Sequence, residues 1–237
     1  MAKQIRSNSP LALSVASMTS PGNVQATVDR ILEFDDARIG FTHDKTWNSL
    51  PVARRGVIKS DSEVVALGTH PRVENCVRAL CALGERDPVE TRKFAEYPAS
   101  GLRPLNDIDW GPNVTLKVKG VCWYVRDGQA TIPILQPRKA PLSEGGLGLY
   151  GALARQAFCK GDWRRAAIEL IDLSGEDENV VAQVFYDDDI PRLSEEQIAQ
   201  YVLTFVEAKL QVDVVRASRP KKPPKSQGPD LFDPKGI

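Results

Sequence analysis

The chain has 237 residues, 42% hydrophobic and 26% charged, which is enough to bury one sizeable core. Its 31 Lys and Arg balance 31 Asp and Glu, so no global field draws it toward a polyanion, and any nucleic-acid contact has to come from a local patch. The apolar run from Leu11 to Ala16 is broken by Ser14 and too short to span a bilayer, and no signal-peptide pattern is present; the expectation is a cytoplasmic protein without a membrane segment.

Residues 1–23 are rich in Ser, Ala and Pro and read as an irregular lead-in. Val24, Val28, Ile31 and Leu32 then fall on one side of a short amphipathic helix. Trp47 and Leu50 read as anchors in a polar loop that Pro51 stops. Thr69, Pro71 and Glu74 open a helix whose apolar face is Val73, Val77, Leu80 and Leu83, with Gly84 as its end. Pro88 and Glu90 suit the first turn of a second short helix. Residues 97–112 read as a connector.

From Val114 the alternation Val114, Leu116, Val118 against Thr115, Lys117, Lys119 predicts a half-buried strand with a basic outer face. Gly120 allows a bend, and the strand continues through Trp123, Tyr124 and Arg126 to an Asp127-Gly128 hairpin turn. The return strand, Ala130–Leu135, contains Pro133, which predicts an edge position because proline gives the ladder no donor. Gln136, Arg138 and Lys139 sit where it ends. Gly145, Gly146 and Gly148 lack the spacing of a phosphate loop or a dinucleotide fingerprint and read as a flexible lead into a small-residue helix, Leu149–Phe158. Ala166–Leu173 reads as a central strand and Val180–Tyr186 as another. Ser194 and Gln197 then open a helix reaching about Leu210, with Ile198, Val202, Phe205 and Leu210 as its apolar face.

The four cysteines form no CxxC pair and read as small buried hydrophobes in a reducing compartment. No HExxH, GxSxG or His/Cys/Cys pattern is present, so no catalytic residue, metal or cofactor is assigned.

Residues 216–237 carry +4 and the rest of the chain −4, and Pro220, Pro223, Pro224 and Pro229 keep this end extended. Lys221, Lys222 and Lys225 are candidate phosphate contacts. Within the tail, Gln227, Asp230, Leu231 and Phe232 resemble the short peptides with which bacterial replication and repair proteins bind a sliding clamp, with one residue more than usual between Gln227 and Asp230. That resemblance implies a protein partner such as a clamp.

The order of elements from His70 to Leu210 also resembles the RecB-like branch of the PD-(D/E)XK nucleases. His70 matches that family's early histidine and Tyr150 its helix tyrosine. The first strand acid falls near Cys122, the acid-x-lysine falls on Gln136-Pro137-Arg138 or runs on to Lys139, and the helix glutamine falls at Gly146. The resemblance therefore implies a scaffold without its carboxylates, in which Gln136, Arg138 and Lys139 bind phosphate oxygens. A metal-dependent nuclease is the catalytic alternative, with Glu169 and Asp172 as its first candidate acids.

The expected architecture is α+β, with a mostly antiparallel sheet of four or more strands flanked by helices. Its divisions are 1–23 (lead-in), 24–112 (helical and loop region), 113–215 (core) and 216–237 (disordered basic tail). The expected function is a non-catalytic nucleic-acid-binding accessory protein of DNA metabolism, with a structural or protein-interaction subunit as the alternative. Lys117, Lys119, Trp123, Tyr124, Arg126, Gln136, Arg138 and Lys139 would form its DNA-docking surface.

Overall fold

The computed structural model describes residues 10–36, 42–62, 70–96, 101–110 and 115–218. Lys221, Lys222, Lys225, Gln227, Asp230, Leu231 and Phe232 lie outside the described residues, as do Thr69 and Val114. The described helices are α1 (Ala12–Met18), α2 (Val24–Asp36), α3 (Asp44–Ala53), α4 (Pro71–Arg86), α5 (Glu144–Phe158) and α6 (Glu195–Ser218). The strands are β1 (Arg92–Lys93), β2 (Leu105–Asp109), β3 (Thr115–Lys119), β4 (Cys122–Arg126), β5 (Gln129–Gln136), β6 (Ala167–Asp172) and β7 (Gln183–Phe185).

The fold is α+β. A five-stranded sheet runs in the order β1-β4-β5-β6-β7, and β2 and β3 form a separate antiparallel pair. Within the larger sheet only β5 and β6 are parallel, joined by α5 as the crossover that a parallel pair requires. One face of this sheet packs on α1, α5 and α6 through Ile132, Ile134, Ile168 and Leu170. The other packs on α3 and α4 through Cys122, Leu135 and Ile171. All four cysteines are reduced, and only Cys159 is not fully buried. Among the described residues no helix is long and apolar enough to cross a membrane.

Several expectations change here. The single long strand is two strands in two sheets, because the chain leaves β3 and enters β4 across Gly120, where an added Cβ would sit 2.7 Å from the Phe158 ring. β2 occupies part of the expected connector, pairing with β3 so that Asp107 faces Lys117. β5 is central rather than an edge. Its ladder with β4 ends at Thr131, before Pro133, so the missing N–H removes nothing from that pairing. No helix forms near Pro88; the chain runs from α4 to β1 without one. Trp47 and Leu50 belong to a helix, α3, with Pro51 in its last turn.

The lead-in contains α1, whose Ala12, Leu13, Val15, Ala16 and Met18 are all buried. It lies against α5 closely enough that a Cβ on Gly146 would come 2.7 Å from the Ala16 carbonyl, so the glycines of α5 serve packing rather than flexibility. The N-cap of α4 is His70, whose Nδ1 accepts from the Arg72 N–H at 3.2 Å. Gly84 does not end that helix; it lies where α4 crosses α3, and a Cβ there would run into the Ala53 carbonyl. In α6 the expected Ser194–Gln197 capping box forms, with the Ser194 N–H donating to Gln197 Oε1 at 2.8 Å and the Gln197 N–H to Ser194 Oγ at 3.3 Å. Ile198, Val202 and Phe205 face inward as expected, but Leu210 points out at 64% exposure, on one outer stripe with Leu203 and Val214.

Candidate nucleic-acid interface

Off the C-terminal end of β5, where ligands collect beside parallel strands, a cleft of about 1100 Å³ opens between the 137–141 loop, the start of α4 and the first three helices. Its basic side chains are Arg30, Arg72, Lys119, Arg138 and Lys139, against Glu33, Asp44 and Asp177. Both histidines of the chain, His43 and His70, also line it.

Gln136 and Arg72 build the loop. Gln136 is fully buried at the end of β5, its Nε2 donating to the Ala140 carbonyl at 2.6 Å while its Oε1 accepts from the Arg138 N–H at 2.8 Å. The Arg72 guanidinium, 2% exposed, donates to the carbonyls of Pro137 (3.3 Å), Arg138 (3.2 Å), Leu173 and Gly175 (2.9 Å), clamping together the segments that leave β5 and β6. It also lies 3.6 Å from Asp177.

Arg138 is the group so held. Its Nη1 donates to Ser17 Oγ and its Nη2 to Ser14 Oγ (2.7 Å), both from α1, and its guanidinium carbon lies 5.0 Å from the Phe34 ring centre. A guanidinium has five N–H donors, and these bonds use two of them. No carboxylate pairs with Arg138 among the described residues. Burial lowers its pKa, the direction expected of a cation short of compensating anions. The two lysines of the cleft have acidic neighbours. Lys119 Nζ bonds Asp44 at 2.7 Å over the Trp47 ring, and Lys139 Nζ lies 2.5 Å from Glu176. Ion pairs this exposed are weak, so their lysines can exchange a carboxylate for a phosphate at little expense.

His43 lies in the same positive surroundings. Burial first, then Arg72, Arg138 and His70, lower its pKa to about 4, with Asp44 opposing. At neutral pH it is an uncharged imidazole. The Nδ1 of His70 accepts from the α4 backbone, so a neutral His70 carries its proton on Nε2.

The residues expected to form one docking surface do not lie together. Lys119, Arg138 and Lys139 reach the cleft, and Gln136 lies beneath it, shaping the loop. Lys117 stands on β3 opposite Asp107. Trp123 packs edge-on against Trp163, ring centres 5.1 Å apart, with Arg92 over its ring. Tyr124 is fully buried and donates its hydroxyl hydrogen to Glu169, so it offers no face to a base. Arg126 sits at the hairpin turn, roughly 20 Å along β5 from the cleft at about 3.3 Å per residue, bound to Asp87 and to the Tyr186 hydroxyl.

The catalytic alternative gains no site from these positions. Glu169 and Asp172 project from opposite faces of β6, Glu169 3.6 Å from the buried Arg54 and Asp172 accepting from the Ser174 N–H at 2.8 Å. Among the described residues no group of three or more His, Cys, Asp and Glu is arranged to hold a metal ion. Sequence reasoning missed His43, Phe34, Ser14, Ser17 and Arg72; the only signal was the i, i+3 spacing of the two serines, which places them on one helix face. Comparison with protein-family models, curated proteins and solved structures found no match.

Proposed function

We propose that this chain is a nucleic-acid-binding accessory protein of DNA metabolism that contacts backbone phosphates through the cleft rather than along the hairpin. The observation that carries this reading is Arg138, a half-buried guanidinium held in place by two serines and left without a carboxylate among the described residues. Such a group is stabilised by an incoming anion, and its fork suits phosphate oxygens. Lys119 and Lys139 flank it. Anisotropy of labelled single- and double-stranded DNA over a salt series tests the reading. Arg138→Gln weakens binding and lowers the salt slope by about one, whereas Lys117→Ala leaves both near the wild-type value. Absence of binding at low salt refutes it.

The remaining parts of the proposal rest on the sequence. The hairpin, crossover helix and parallel strand are compatible with a PD-(D/E)XK-like core lacking its carboxylates. The segment Gln227–Phe232 binds a protein partner such as a sliding clamp, and a peptide of that sequence competes for it. A cytoplasmic location suits four unpaired thiols. One observation favours the alternative of a protein-interaction subunit: Leu203, Leu210 and Val214 are 69%, 64% and 70% exposed on the outer side of α6. A change in oligomeric state on Leu203→Lys with Leu210→Lys supports that alternative; no change removes it.

A further inference from the structure

The lining of the cleft is not cationic throughout. Phe34 and Leu11 both face it, and each keeps 40% of its surface exposed. Large apolar side chains left open between cations suit a ligand that carries an apolar face next to its charge. Trp47 does not serve this purpose, because it is 5% exposed and lies beneath Lys119. Phe34 does, since it is open to the cleft and borders a cation without a carboxylate partner among the described residues, the Arg138 guanidinium 5.0 Å from its ring centre.

A duplex presents phosphates and sugars outward and keeps its base faces stacked inside, so it has no base face to lay over Phe34 or Leu11. An inorganic anion has no apolar face at all. An unpaired nucleotide supplies both parts, a phosphate within reach of the uncommitted guanidinium N–H groups and a base whose face covers an aromatic ring or a guanidinium plane. At about 1100 Å³ the cleft has room for a nucleotide with its flanking backbone.

Resting on the phosphate-binding reading above, we infer that the cleft selects single-stranded nucleic acid, with a backbone phosphate on Arg138 and an unstacked base over Phe34 and Leu11. Phe34 is then a specificity residue and Arg138 an affinity residue, and the two roles separate experimentally.

The test compares a labelled oligo-dT with a duplex of equal length at low salt, using the whole chain. Wild-type protein binds the single strand more tightly. Phe34→Ala weakens the single strand about tenfold and leaves the duplex unchanged, as loss of one stacked base does, and Phe34→Tyr restores it. Arg138→Gln weakens both. Equal wild-type affinity for the two probes, or an unchanged preference in Phe34→Ala, overturns the inference and leaves the phosphate-binding reading standing. Failure of both probes to bind wild-type protein removes the two together. The wild-type preference needs no variant, so a Phe34→Ala protein that does not fold leaves the test decisive.

Discussion

His43 links acidity to both stability and ligand binding. Its pKa falls from an ordinary value near 6.5 to about 4 on folding, because burial and the guanidinium groups of Arg72 and Arg138 oppose a further positive charge, with His70 adding and Asp44 subtracting. The folded state therefore holds fewer protons than the unfolded chain between these values. The stability that follows is fully present above about pH 6.5 and drains away as pH falls toward 4. At 1.36 kcal/mol per unit the full shift sets a ceiling of about 3 kcal/mol near pH 4, and solvent screening of the partly exposed ring reduces the loss to about 1–2 kcal/mol. Urea unfolding across this range, in wild type and in His43→Gln, isolates the effect, because the carboxylates that also lose stability in acid are common to both proteins. The variant should show a shallower decline by that amount. Saturating oligo-dT should shift the wild-type decline to lower pH, since a phosphate in the cleft favours the imidazolium and binds more tightly as His43 protonates. Identical acid sensitivity in the two proteins would refute the argument.

Other expectations follow from burial. Arg54→Met leaves Glu169, fully buried and already pushed upward by burial, without its cation; removing one partner of such a pair costs about 3–5 kcal/mol in a denaturation midpoint, and adding Glu169→Gln recovers part of it. Tyr124→Phe removes the hydroxyl that donates to Glu169 and costs about 1–3 kcal/mol, while DNA affinity is unchanged because Tyr124 does not reach the cleft. Gly84→Ala forces α4 away from the Ala53 carbonyl and lowers the melting temperature, by about 1–3 kcal/mol of stability.

What the sequence made legible was periodic. The two amphipathic helices, the capping box of α6, the Asp127-Gly128 turn and the buried strand β6 each rest on a local pattern, and each formed. The Cα partners of a strand are not local. Nothing in the run from Thr115 to Arg126 shows that its two halves join different sheets, because alternation fixes which side chains share a face and not which strand lies alongside. The same gap hid α1. Its serines weakened the apolar run by eye, yet Ser14 and Ser17 lie together on the side that meets Arg138, leaving Ala12, Val15 and Ala16 for the core.

The shift of the candidate interface from hairpin to cleft has the same origin. A basic strand face gathers charge only while the strand stays in one sheet. Here the chain changes sheets at Gly120, so Lys117 and Lys119 go with β3 while Arg126 is carried to the opposite end of β5 and bound to Asp87. The segments that replace it come from α1, α2, α3, the start of α4 and the loop after β5, which are distant in sequence. Arg72 and Gln136 spend their hydrogen bonds on backbone carbonyls and amides there, so the loop is shaped before a ligand arrives. Arg138, by contrast, is placed by two neutral hydroxyl partners and keeps donors in reserve. A cation whose position is fixed by neutral partners loses less on meeting a phosphate than one that must first release a carboxylate, and for that reason Arg138, rather than Lys119 or Lys139, is the side chain on which affinity should chiefly depend.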